Sequence, residues 1–68
     1  MSELGLLLSS SRDGVRMSYL AAMLAGEGIE TDLRPQGQGF NYFRLYIRPE
    51  DAVQARAVLR ALDASPPA

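Results

Sequence analysis

Ile29 to Arg48 reads IETDLRPQGQGFNYFRLYIR, and the pattern in this stretch decides the fold. Ile29, Thr31 and Leu33 alternate with Glu30, Asp32 and Arg34, the period of two that buries one face of a strand and wets the other. Pro35 has no N–H to give to a ladder and is expected to stop that strand. PQGQG follows, with two glycines and one proline in five residues, a connector suited to a hairpin. Phe43, Leu45 and Ile47 then alternate with Tyr42, Arg44, Tyr46 and Arg48, the signature of a further strand. Setting Leu33 opposite Phe43 and Thr31 opposite Leu45 places Asp32 across from Arg44, a cross-strand ion pair.

Upstream, Glu3 to Ser9 reads ELGLLLS and is expected to be the first strand. Leu4, Leu6 and Leu8 would face the core, with Gly5, Leu7 and Ser9 on the other side. Ser10 followed by Asp13 resembles a capping box, and a helix is expected to run from there to about Gly26. Gly26 and Gly28 supply the left-handed conformations that end helices. Downstream, Pro49 suits a first helical position, Glu50 and Asp51 favour the positive end of the helix dipole, and Ala52, Ala55, Leu59 and Leu62 recur at helical spacing. That helix is expected to end near Asp63, leaving a flexible tail at 64–68.

The order is therefore β-α-β-β-α. A right-handed split β-α-β unit inserts the third strand between the first two. The expectation is an α+β fold with a three-stranded antiparallel sheet in the order 1-3-2 and both helices on one face, ferredoxin-like but lacking the last strand. The expected core is Leu4, Leu6, Leu8, Leu20, Leu24, Ile29, Leu33, Phe43, Leu45, Ile47, Leu59 and Leu62. The first helix also carries two apolar stripes. Met17, Leu20, Ala21 and Leu24 form one, Val15, Tyr19, Ala22 and Met23 the other. The second stripe must be covered by the second helix or meet another chain.

The chain has 68 residues, room for a single domain spanning 1–68, ordered from about 3 to 63. Apolar residues make up 47%, but a core of this size rarely supplies more than about 3–5 kcal/mol, so help from a partner chain fits. Cys and His are both absent, which removes disulfides, thiolate or imidazole metal sites and nucleophile–His catalysis. No cofactor is expected. Seven arginines face eight carboxylates, a net charge of −1, which disfavours a nucleic-acid partner. Leu6-Leu7-Leu8 is far shorter than the roughly 20 residues of a membrane span, and a cytoplasmic location without membrane partner is expected.

Two segments carry a family resemblance: SYLAAMLAGEGIETDLR, with Leu20 and Leu24 ending in Gly28-Ile29, and RLYIRPEDAVQARAVLRAL, with Pro49-Glu50-Asp51-Ala52 opening a helix that holds Ala55 and Leu59. Together they resemble the prokaryotic signal-transducing protein family, small bacterial domains with a PII-like or ferredoxin-like arrangement. The likeness covers roughly residues 4 to 63. It implies a fold and a signalling role, and carries no catalytic residue across.

Three constellations bear on function. Ser10, Ser11 and Arg12 place hydroxyls and a guanidinium at a helix start, where an anion or small ligand would be favoured, although helix capping accounts for the same residues. The carboxylate pairs Glu30/Asp32 and Glu50/Asp51 lack a third convergent ligand and read as ion-pair and helix-dipole residues. Tyr42, Arg44 and Tyr46 share the open sheet face with Leu7, and the first strand, with no fourth strand beside it, is an edge rich in Leu and free of Lys or Pro. The expected function is a non-enzymatic regulatory module acting by association, with itself or another protein, through Leu7, Tyr42, Arg44 and Tyr46. The alternative is a small-molecule or anion sensor at Ser10, Ser11 and Arg12, and a weaker one is nucleic-acid binding on the open face.

Overall fold

The computed structural model describes residues 2–64, apart from the Phe40 side chain. The expected tail therefore lies, beyond Ala64, outside the described residues. Strand β1 spans Leu6–Ser11, helix α1 Gly14–Gly26, β2 Asp32–Gln36, β3 Tyr42–Ile47 and helix α2 Ala52–Ala64, with short 3-10 turns at Gln38–Phe40 and Pro49–Asp51. The three strands form one antiparallel sheet in the order β1-β3-β2. This is the β-α-β-β-α order and the sheet order read from the sequence.

Both helices pack on one face. Met17, Leu20 and Leu24 of α1, Ala55 of α2, Leu45 and Ile47 of β3 and Ile29 are fully or almost fully buried in one cluster. Leu6, Leu8, Leu33, Phe43, Val58, Leu59 and Leu62 close its rim. Leu4, expected in the core, is outside this cluster. Met17 and Ala55 complete it because each lies on the stripe its helix turns to the sheet. Arg16, near the start of α1, pairs with Asp63, near the end of α2, so the helices run antiparallel.

Local chemistry sets the helix ends. The cap of α1 is Asp13 rather than Ser10, since the Asp13 carboxylate accepts from the Arg16 N–H at 3.0 Å. Ser10 and Ser11 are still strand residues. A β-carbon on Gly14 would lie 3.1 Å from the Phe43 ring, so a larger residue there would require that ring to shift by a few tenths of an ångström. At the other end Ile29 N–H donates to the Leu24 carbonyl at 2.9 Å and Gly28 N–H to Ala25 at 3.0 Å. This is a Schellman turn whose apolar pair, Leu24 and Ile29, is buried. Of the two glycines expected to end the helix, Gly28 takes the left-handed conformation, φ 78°, and Gly26 stays helical. Gly28→Ala should cost about 1–2 kcal/mol. A β-carbon there meets nothing within 4 Å, so the whole cost is backbone strain, and urea unfolding with an unchanged midpoint would refute this reading.

Two departures from the sequence reading concern register. β2 does not stop at Pro35 but runs through it to Gln36, because a strand at the sheet edge has one side without ladder bonds and tolerates a missing donor. Leu33 consequently sits opposite Leu45, Arg34 opposite Arg44 and Asp32 opposite Tyr46. The expected Asp32–Arg44 pair does not form. In β1 the pairing shifts between Leu7 and Ser9: Leu7 faces Tyr46, yet Ser9, not Leu8, faces Leu45. This β-bulge turns Ser9 to the helix side, where simple alternation puts it on the open face.

Candidate functional site

The sheet face opposite the helices carries the even-numbered side chains of β3, because Phe43, Leu45 and Ile47 point into the core. Cross-strand partners extend this surface in rows. Leu7, Tyr46 and Asp32 form one row, Ser10, Arg44 and Arg34 the next, and Tyr42 lies across from Gln36. Period-two reading thus brings Leu7, Tyr42, Arg44 and Tyr46 to one face, as the sequence implies.

Arg34 organises that face, and the sequence reading missed it. Its guanidinium carbon lies 4.0 Å from the centre of the Tyr46 ring, a cation–π distance. Its Nε donates to Asp32 Oδ2 at 2.7 Å and an Nη donates to the Leu4 carbonyl at 3.0 Å. The arginine thereby spans from β2 over β3 to the segment leading into β1. The hydrogen bond to Asp32 raises the Arg34 pKa above its ordinary value. Arg48 makes a parallel link, with Nε donating to the Ser2 carbonyl at 2.9 Å and Nη1 to Glu30 Oε1 at 3.2 Å. Arg44 is different. It stands directly opposite a like charge, Arg34, an arrangement that is unfavourable in a ladder, and among the described residues it has no ion pair. The signal that could have located Arg34 was the tolerance of an edge strand for Pro35, which moves the hairpin register by two.

The two edges of the sheet contrast. β2 presents Asp32, Arg34 and Pro35, the charges and missing donor that blunt an edge. β1 reads Leu-Leu-Leu-Ser-Ser-Ser, with no charge and no proline. Leu7 is 46% exposed, a large apolar residue at the rim of the open face.

The three residues nominated at the helix start are not gathered around one cavity. The Ser10 hydroxyl accepts from the Tyr42 hydroxyl at 2.9 Å, and Ser11 Oγ accepts from the Asp13 N–H at 3.0 Å. Arg12 alone lines a wide-mouthed recess of about 650 Å³ with Asp13, Gly14, Val15, Ser18 and Phe43. The Asp13 carboxylate already occupies the capping position there, and its charge opposes an incoming anion. The carboxylate pairs are also separated by their partners. Glu30 goes to Arg48 and Asp32 to Arg34, while Glu50 Oε2 accepts from the Ser2 N–H at 3.2 Å. The hydrogen bonding from Ser2 holds the Glu50 carboxyl below the ordinary glutamate range, the wrong direction for a general base at neutral pH.

On α1 the second apolar stripe is exposed at Val15, Tyr19 and Ala22 and half-buried at Met23. Val15 is 83% and Tyr19 58% exposed. Among the described residues no helix is long and apolar enough to cross a membrane. No protein-family model, curated protein or solved structure matches the chain.

Proposed function

We propose that this chain is a small, non-enzymatic, cytoplasmic regulatory module that works by association, taking a further strand on the β1 edge from a second copy or from another protein. One observation carries the reading: of the two edges, β2 is blunted by Asp32, Arg34 and Pro35, whereas β1 offers six residues without charge or proline. Unpaired N–H and C=O groups on such an edge are a template for strand addition. Leu7, exposed beside Tyr46, supplies apolar area where the added strand would lie. The small core supports the same reading, since a partner adds buried surface that a chain this short lacks. The regulatory label rests on the resemblance to the prokaryotic signal-transducing domains. The absence of His, Cys and Lys and the depressed Glu50 carboxyl support a non-enzymatic role.

Solution mass across a concentration series, with and without a capped β-strand peptide, tests the proposal. Wild-type chain is expected to self-associate or to bind the peptide. Leu7→Lys, which places on the edge the charge that natural sheets use to block pairing, should lose both while its unfolding free energy stays within about 0.5 kcal/mol. A chain that is monomeric throughout and ignores the peptide, or a Leu7→Lys variant that associates as well as wild type, contradicts it.

A further inference from the structure

We infer that the strand received by β1 comes from another protein and carries an acidic side chain opposite Ser10. This deepens the strand-addition reading and rests on it. The row Ser10–Arg44–Arg34 sets two arginines at opposed backbone positions, and only one is neutralised: the Arg34 guanidinium turns out of the row to Asp32 and Tyr46. Arg44 keeps an exposed charge on the open face with no ion pair among the described residues.

On the β1 side its neighbour is Ser10, a small side chain whose hydroxyl is held by Tyr42. Strands lie about 4.8 Å apart, so a strand added outside β1 sits two spacings from β3. An extended arginine covers more than one spacing, and a glutamate or aspartate reaching inward over Ser10 covers the rest. A bulky residue at Ser10 would close that path. Next along the edge is Leu7, which favours an apolar side chain on the added strand. The chain's own β1, Leu-Leu-Leu-Ser-Ser-Ser, has no carboxylate to offer. A second copy paired in full register along Leu6–Ser11 sets no carboxylate opposite Ser10 and leaves Arg44 unmet, and charge complementarity selects a partner with an acidic strand.

The probes are three capped peptides of alternating valine and threonine that differ only in one central open-face residue, glutamate, glutamine or lysine. Binding is read by titration with amide exchange at Leu6–Ser11 as the site marker. The glutamate peptide should bind about fivefold tighter than the glutamine one, the scale of an exposed ion pair, with lysine weakest and the preference fading at high salt. Arg44→Gln should abolish the preference while retaining binding, and Arg44→Lys should restore it. Equal affinity of the three peptides for wild type overturns the acidic partner but leaves strand addition standing. Self-association through Leu7 with no peptide bound also overturns it, in favour of a second copy. A monomer that binds no peptide overturns both readings.

Discussion

Leu45→Ala is expected to cost about 2–5 kcal/mol of folding stability. Leu45 lies fully buried in the central strand, with Ser9 opposite it on β1 and Leu33 on β2. Both neighbouring strands are pinned by their ladders to β3, so the site has little freedom to collapse around the cavity. In a chain whose core rarely supplies more than about 3–5 kcal/mol, that loss leaves a large unfolded fraction at room temperature. Urea or thermal unfolding by circular dichroism reads it directly. A cost under about 1 kcal/mol would put Leu45 on the open face and shift the register of β3 by one.

Ala55→Leu should also destabilise, by about 1–3 kcal/mol. Ala55 is fully buried on the inner side of α2, where a single methyl sets how near the helix can lie to the sheet. Added carbons must push α2 outward or force neighbours from their rotamers. The control is Ala57→Leu, on the exposed side of the same helix, where the change should stay within about 0.5 kcal/mol. Equal effects at the two positions would mean that α2 does not present Ala55 to the core.

The elements and their order are legible in the sequence because each rests on a local signal. Phe43, Leu45 and Ile47 alternate cleanly, Leu20 and Leu24 recur at helical spacing, and Gly28-Ile29 closes a Schellman turn that any reader of helix ends would seek. The sheet order follows from handedness once the order of elements is known. What is not legible is register, because it depends on which backbone bonds a strand can forgo. Pro35 reads as a stop, yet an edge strand absorbs it, and the resulting shift exchanges the expected Asp32–Arg44 pair for the Arg34–Arg44 opposition. The bulge at Leu8 is equally silent, since Leu-Leu-Leu-Ser alternates in neither phase. For the candidate surface, period two suffices to gather Leu7, Tyr42, Arg44 and Tyr46. The span of Arg34 over Tyr46 to the Leu4 carbonyl depends on the shifted register and could not be read without it.

Receptivity of the β1 edge is the central claim, and amide hydrogen exchange followed residue by residue tests it most directly. Exchange is compared between dilute chain and chain that is either concentrated or saturated with an acidic β-strand peptide. The account predicts slowed exchange at Leu6–Ser11 under one of the latter conditions, with Asp32–Gln36 on the blunted edge unchanged. Unchanged exchange at Leu6–Ser11 in both, or protection appearing at Asp32–Gln36 instead, would contradict it.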